Sequence, residues 1–243
     1  MAAKRNETKV FLVITAVVAF LALYLLAGNI FIVREISVEG NSALSDADVI
    51  RMSGLNVGGS IFRVNREEAL RSIALSGTVK PLDISVSYPS TITLTVKERE
   101  PSVYVDCYGV ILIVDDEGVM MESVSTLPEE QYLYVTGLKP TGFNIGRTLE
   151  TDVRGQVESM AAVVQAAKAA NFVSQVSELN VMNPDNMYLI ARSGMQILLG
   201  DKENLENKLA IAVAAMNDLS ARGIVRGRLD VRTGRFADFR EEQ

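Results

Sequence analysis

The chain has 243 residues, with 24 lysines and arginines against 30 aspartates and glutamates, a formal net charge of −6 and no histidine. The missing histidine excludes Ser-His-Asp and Cys-His catalytic sites and removes the commonest zinc ligand. The single cysteine, Cys107, excludes a disulfide within the chain. We interpret it as an unpaired strand residue, in preference to a reactive thiol or a link to another chain.

The basic residues at the start of the chain stand apart from its acidic remainder. Lys4, Arg5 and Lys9 lie within nine residues that hold one acid, Glu7. No basic block follows them, so the chain is a poor candidate for binding nucleic acid.

An apolar run follows this basic start, with the sequence VFLVITAVVAFLALYLLA over 10–27. Its roughly eighteen residues would span about 27 Å as a helix, near the hydrocarbon thickness of a bilayer. A cleaved signal peptide would need a small residue where Leu25 stands, and a buried core helix would have a polar face. The sequence therefore predicts a transmembrane helix over 10–30. The basic residues predict that 1–9 form a cytoplasmic tail and that the rest is exported.

A first small domain is predicted over 33–99. Alternation around Ile36 and Val38 indicates a strand, and Ser45 with Asp48 forms a capping box that opens a helix ending at Gly54. Asn65 caps a second helix. Two alternating runs, 82–88 and 92–96, flank Pro89 and form a hairpin. Between the two helices, Ile61 and Phe62 are expected to enter the core.

Three segments of this region carry a family resemblance: VREISVEGNSALS, GGSIFRVN and ISVSYPSTITLTVKEREPSVYV. They resemble a POTRA domain of the FtsQ/DivIB kind. The resemblance implies a βααββ fold, and the second strand of that unit is a candidate contact edge.

A second domain is predicted over 100–239, with 240–243 as the C-terminal end. Strands are expected at 103–105, 110–114, 119–122, 132–135, 176–181, 187–191 and 195–199. Helices are expected at 151–171 and after Asp201, which could cap the second of them. Two short strands, 228–232 and 235–239, close the domain. The acidic run Asp115-Asp116-Glu117-Gly118 lacks calcium-loop spacing and is interpreted as a hairpin turn.

This order also resembles FtsQ/DivIB proteins, through VDDEGVMM, YLYVTGL, MQILLG and RLDVRTG. The expected fold class is α+β: an N-terminal transmembrane helix, a POTRA domain, and a mixed β/α domain with a largely antiparallel sheet. No catalytic, cofactor or metal site is predicted, and the chain is not expected to be an enzyme.

The last two predicted strands make the best candidate for a partner-binding edge. The candidate residues are Arg228, Asp230, Arg232, Phe236 and Phe239. Aromatic and arginine side chains are common binding anchors, although the phenylalanines could instead be core and the arginines solvated. The resemblance favours binding, because relatives bind FtsB/DivIC-type partners through this final part.

The resemblance implies a non-catalytic divisome scaffold at the division septum, anchored in the cell membrane through 10–30 with its N terminus in the cytoplasm. Its implied partners are FtsL- and FtsB/DivIC-like membrane proteins, with the septal wall synthase as a further candidate, and its implied role is to help control septal peptidoglycan synthesis. The alternatives are a membrane-tethered cell-wall enzyme and a POTRA-bearing assembly factor.

Overall fold

The computed structural model describes residues 11–22, 24, 30–127 and 132–241, and these residues form two compact units. The first unit holds residues up to Ala74 together with Val79–Glu98, and the second holds Leu75–Thr78 and Arg99 onward. The predicted tail, 1–9, lies outside the described residues.

The predicted membrane segment, 10–30, is described only in part, because residues 10, 23 and 25–29 lie outside the described residues. Residues 11–22 are helical. Among the residues that are described, no helix is both long enough and apolar enough to cross a bilayer.

The first unit has the predicted βααββ order. It consists of β1 (Glu35–Glu39), α1 (Asp46–Ser53), a 3-10 turn (Ile61–Arg63), α2 (Arg66–Ala74), β2 (Val79–Ser87) and β3 (Thr91–Glu98). The strand order is β1-β3-β2, with β3 parallel to β1 and antiparallel to β2. The helices bury Val49, Ala69 and Ile73 against the alternating residues Ile92, Leu94 and Val96 of β3.

Both helix caps of this unit form as predicted. The Ser45 hydroxyl accepts a hydrogen bond from the Asp48 N–H at 3.2 Å, and Gly54 ends α1 with a φ of 70°. The Asn65 side chain accepts from the Glu68 N–H at 3.2 Å. Each cap satisfies a backbone donor that the helix leaves unpaired, so local sequence was sufficient to place both starts.

Two apolar side chains of this unit, Phe62 and Leu82, are exposed. Phe62 was expected to enter the core with Ile61, yet Ile61 is 3% exposed and Phe62 is 65% exposed. The 3-10 turn explains this difference, because consecutive residues on a helical turn point in different directions. Leu82 is exposed because the β2–β3 register shifts between Pro81 and Asp83, which interrupts the alternation.

The second unit is built around one large sheet and two helices. Its strands are β4 (Val103–Cys107), β5 (Val110–Val114), β6 (Met120–Val124), β7 (Leu133–Thr136), β8 (Pro140–Gly142), β9 (Glu150–Thr151), β10 (Val176–Asn180), β11 (Met187–Ala191), β12 (Met195–Gly200), β13 (Gly227–Asp230) and β14 (Asp238–Arg240). Its helices are α3 (Gln156–Ala169) and α4 (Leu205–Ala221), with a 3-10 turn at Val173–Gln175.

The large sheet has nine strands in the order β14-β13-β12-β11-β10-β7-β4-β5-β6, and β8 and β9 pair separately. Within the described residues, three neighbouring pairs are parallel, namely β4–β7, β7–β10 and β12–β13, while the other five are antiparallel. The sheet is therefore mixed. Two of the parallel pairs follow from helical crossovers, because α3 connects β7 to β10 and α4 connects β12 to β13, whereas the chain reaches β7 from β4 through β5 and β6.

The core of this unit lies between the sheet and the two helices, which contact each other. From α3 it takes Val157, Met160, Val163, Val164 and Ala167, and from α4 it takes Leu205, Leu209, Ala212 and Leu219. The predicted helix 151–171 is shorter than expected, because Thr151 pairs in β9 and Val153 is exposed. The last predicted strand, 235–239, was also wrong in extent. A turn at Gly234 delays β14 until Asp238.

Candidate partner-binding edge

The crossover from β12 through α4 sets the position of β13 in the sheet. The two strands pair in parallel, with Gln196 opposite Arg228 and Leu198 opposite Asp230. The Val231 N–H donates to the Leu198 carbonyl at 3.1 Å. Because N–H and C=O groups alternate sides along a strand, Leu229 and Val231 direct their backbone groups toward β12.

The same alternation decides which backbone groups face the last strand. Arg228 and Asp230 direct theirs toward β14, where they lie opposite Arg240 and Asp238. Phe239, opposite Leu229, therefore points its own N–H and C=O away from β13. In the part of the chain that the structure describes, no strand pairs with that side of β14.

The opposite edge of the sheet, formed by β6, is partly covered. The Met120 N–H donates to the Arg147 carbonyl at 2.9 Å, and the Met120 carbonyl accepts from the Gly146 N–H at 2.8 Å. Val119 also forms a bridge with Thr148. The start of β6 is thus occupied by the 146–149 segment, which makes β14 the more accessible of the two edges.

An ion pair lies at the end of β13. The Arg232 Nε donates to both carboxylate oxygens of Asp230, at 2.9 and 3.0 Å, and the Arg232 N–H donates to the same carboxylate at 3.1 Å. The side-chain hydrogen bond from Arg232 lowers the pKa of Asp230, and the pair raises the pKa of Arg232. Both groups therefore stay charged, with the Arg232 side chain 51% exposed.

Charged side chains continue along the same face of the edge. The Arg228 Nε donates to the Gln196 Oε1 on β12 at 3.0 Å. On β14, Arg240 and Asp238 approach each other at 3.5 Å. These contacts are exposed, so each contributes little to stability while offering charges to a partner.

The two predicted phenylalanines occupy different environments. Phe239 is half-buried and packs against the core of the unit, which supports the core interpretation for this residue. Phe236 is 61% exposed in the segment before β14. It lines a depression of about 380 Å³ together with Asp230, Arg232, Thr233 and Asp238. Three of the five predicted residues, Arg228, Arg232 and Phe236, are thus exposed, while Asp230 is half-buried in its ion pair and Phe239 contributes its backbone.

Two supporting residues were not identified from the sequence. A Cβ on Gly227 would lie 2.6 Å from the Arg240 carbonyl oxygen and 2.7 Å from the Phe239 ring, so β14 can approach β13 only at a glycine. Lys208 is buried and donates to the Asp201 carboxylate at 2.7 Å and to its backbone carbonyl at 3.0 Å. A glycine at the start of a strand was a usable signal, whereas the lysine followed the pattern of an ordinary helix surface.

Asp201 does not cap α4 as predicted. Its carboxylate accepts from the Glu203 N–H at 3.1 Å and from Lys208, while Asn204, with a φ of 53°, stands at the helix start. The hydrogen bond from Lys208 lowers the pKa of Asp201. The carboxylate therefore ties the β12–α4 connection to the first turn of α4 through Lys208.

The cysteine and the acidic run singled out in the sequence both lie in ordinary structural environments. Cys107 is buried in β4, and burial followed by the charge of Asp106 raises the pKa of its thiol. Asp115 accepts hydrogen bonds from the N–H groups of Glu117 and Val119, at 2.9 and 2.8 Å, as a hairpin turn would. Over the described ranges, no three histidine, cysteine or acidic side chains are grouped so as to hold a metal ion.

Comparison with known families matches both units. Residues 31–99 match the model of the FtsQ-type POTRA domain, and residues 104–232 match that of the C-terminal region of cell division protein FtsQ/DivIB.

Individual relatives are similar over most of the chain. The cell division protein DivIB of Clostridium tetani is 24% identical over 74% of this chain and 67% of its own length. The cell division protein FtsQ of Corynebacterium glutamicum is 27% identical over 84% and 86%. A solved structure of the major extracytoplasmic domain of DivIB from Geobacillus stearothermophilus, trans isomer, matches with a TM-score of 0.33 and 15% identity over 51% of this chain and 97% of that one. With both regions matched in order, the chain belongs to the FtsQ/DivIB family of cell-division proteins.

Proposed function

We propose that this protein is a non-catalytic, membrane-anchored scaffold of the division machinery, which binds partner proteins at the open edge formed by β14. The observation that carries the proposal is the outward direction of the Phe239 backbone N–H and C=O. An unpaired strand edge can accept a strand from another chain through backbone hydrogen bonds.

The side chains around this edge supply the specificity. Arg228, Arg232 and Arg240 stand beside Asp230 and Asp238, so the edge presents both signs of charge. Phe236 offers an exposed ring beside the ion pair. A partner strand with a complementary charge pattern and an apolar residue facing Phe236 would be preferred over an arbitrary strand.

The apolar run 10–27 supports a membrane anchor through 10–30, and Lys4, Arg5 and Lys9 favour a cytoplasmic N terminus with both units exported. Confinement to the membrane raises the effective concentration of other membrane proteins near the edge. The partners that suit this arrangement are FtsL- and FtsB/DivIC-like single-pass proteins at the division septum. Through them the protein would help control septal peptidoglycan synthesis.

The test is co-purification of the full-length protein with FtsL- and FtsB/DivIC-like proteins from membranes. Arg232→Glu places a like charge beside Asp230 and reverses the exposed charge at the edge, so we expect weaker co-purification. Arg222→Glu is the matched control. Arg222 is 58% exposed, against 51% for Arg232, and pairs with Asp218 at the end of α4. Neither Arg222 nor Asp218 lines the depression beside Phe236, so the reversal is expected to leave binding unchanged.

The comparison of the two variants decides the proposal. Equal co-purification of wild type and both variants would remove this edge as the binding site. Equal loss in both variants would indicate a general dependence on charge and would also count against a site at β14.

A further inference from the structure

The first unit carries an exposed aromatic cluster that the partner-binding edge does not use. It consists of Phe31, Phe62 and Tyr88, and is called the aromatic cap below. The ring centroids lie 5.1 Å apart for Phe31–Phe62, 5.7 Å for Phe62–Tyr88 and 6.3 Å for Phe31–Tyr88. Phe62 and Tyr88 remain 65% and 62% exposed, so contact with one another does not bury them.

Backbone hydrogen bonds explain why three distant parts of the sequence meet here. The Ile61 N–H donates to the Phe31 carbonyl at 3.0 Å, and the Val33 N–H donates to the Gly59 carbonyl at 2.8 Å. On the other side, the Arg34 N–H donates to the Ser90 carbonyl at 2.9 Å. The entering segment is therefore held between the 58–61 loop and the turn that joins β2 to β3.

Additional apolar side chains lie close to these segments in the chain. Ile30, directly before Phe31, is 45% exposed, and Val57, directly before the loop, is 62% exposed. Arg63 follows Phe62 and is also exposed. An exposed group of aromatic and aliphatic side chains with an adjacent arginine has the composition of a surface that lies at a membrane interface.

Covalent geometry places this cluster near the bilayer. Phe31 is four residues beyond Ala27, where the apolar run ends, so the chain between them can span at most about 14 Å. The headgroup region on each side of the hydrocarbon is roughly 5 to 8 Å thick. Phe31 cannot lie far outside this region if 10–30 is anchored in the membrane.

We propose that the aromatic cap docks into the lipid headgroup region and holds the first unit against the bilayer. This inference rests on the proposed membrane anchor and adds a second, peripheral contact with lipid. The anchor brings Phe31 to the interface, and burial of Phe62 and Tyr88 there removes apolar surface from water. The tyrosine hydroxyl stays hydrated, as aromatic side chains with a polar end do at interfaces.

The natural chain contains no tryptophan, which allows a direct test. Full-length protein carrying Phe62→Trp is reconstituted into vesicles of phosphatidylcholine and phosphatidylglycerol, with or without bromine on the acyl chains close to the headgroup. We expect a blue-shifted emission that brominated lipid quenches and that acrylamide reaches poorly. Tyr88→Trp is a second reporter and should behave alike.

Leu82→Trp is the matched control in the same unit. Leu82 is also an exposed apolar residue, 53% accessible, and lies near the start of β2, six residues before Tyr88, which follows the end of the strand. At about 3.3 Å per residue the two positions are roughly 20 Å apart. We expect the indole of the Leu82→Trp variant to be quenched by acrylamide and to be insensitive to brominated lipid.

Flotation of the same vesicles separates the two proposals. If the protein floats with the vesicles while brominated lipid quenches neither the Phe62→Trp nor the Tyr88→Trp variant, the proposed docking of the aromatic cap is overturned. The proposed membrane anchor would still stand. Protein that does not float would overturn both. Equal quenching of the Phe62→Trp and Leu82→Trp variants would indicate non-specific adsorption. Protection of the Phe62→Trp indole that requires an added partner protein would indicate a protein contact. Either of these last two results would also overturn the docking.

Discussion

The direction of backbone groups in β14 can be tested by placing proline at each position from 238 to 241. Asp238 and Arg240 direct their N–H groups toward β13, and Phe239 directs its N–H outward. Glu241 follows β14 directly, and the same alternation predicts that its N–H faces outward. Proline removes a backbone N–H at every position, so the four variants differ chiefly in which hydrogen bond is lost.

The two inward positions should affect the structure of the edge. Asp238→Pro and Arg240→Pro each remove one β13–β14 hydrogen bond, which costs about 0.5–1.5 kcal/mol before any steric cost of the ring. The Arg228 and Asp230 amides, which face β14, should then exchange faster with deuterium. Hydrogen-exchange mass spectrometry reports this locally, so it does not require that both units unfold in one transition.

The two outward positions should affect binding. Phe239→Pro and Glu241→Pro each remove one donor offered to a partner strand, a loss of about 0.5–1.5 kcal/mol or roughly 2- to 12-fold in Kd. They should leave the Arg228 and Asp230 amides protected. Phe239→Ala controls for the loss of the packed ring. Titration of full-length protein in nanodiscs with the exported segment of an FtsB/DivIC-like partner measures the Kd.

Strand addition at β14 requires that inward and outward proline positions have different effects on amide exchange and on Kd. If all four prolines change binding equally, or if the outward pair binds like wild type, then the partner does not add a strand at β14. If exchange at 228 and 230 rises most for the outward pair, the deduced register of the edge is wrong.

Two further predictions concern stability. Glu98 accepts hydrogen bonds from the N–H groups of 42–44, which lower its pKa from the ordinary 4.5 to about 2. Its stabilisation is therefore complete above about pH 4.5 and lost as pH falls toward 2, and Glu98→Gln should remove this acid dependence in exchange experiments on the first unit. Asp115→Asn keeps the acceptor for two turn N–H groups but removes the buried carboxylate from the Arg99 guanidinium, which is 10% exposed and keeps the more exposed Glu117, at 3.2 Å, as a charged partner. A loss of about 1–3 kcal/mol is expected in the denaturant-induced unfolding of the second unit, and a change below about 0.5 kcal/mol, as for a surface pair, would contradict it.

Features with a local physical cause were predictable. The caps at Ser45 and Asn65 depend on side chains that reach a backbone group three residues away, so the sequence contains both partners. The β2–β3 hairpin depends on alternation on both sides of one turn. The 115–118 turn likewise forms from neighbouring residues.

Local patterns failed where the backbone departed from regular geometry. Phe62 is apolar and close to a buried isoleucine, but the 3-10 turn directs it outward. Leu82 is displaced from the buried face by a register shift. At the C terminus, the turn at Gly234 leaves Phe236 outside the strand in which it was predicted. Apolar character alone does not distinguish a core residue from one exposed by such a change.

The sequence by itself determined the order of elements, the presence of two modules and the family, because these follow from capping, alternation and collinear motifs. Only the tertiary structure decided that β14 is the open edge, that Gly227 admits it, that the 146–149 segment covers β6, and that Phe31, Phe62 and Tyr88 meet. Each of these depends on pairing between residues far apart in the chain. The free energy of such contacts depends on strand register and side-chain packing between distant segments, and neither can be read from the residues of one segment alone.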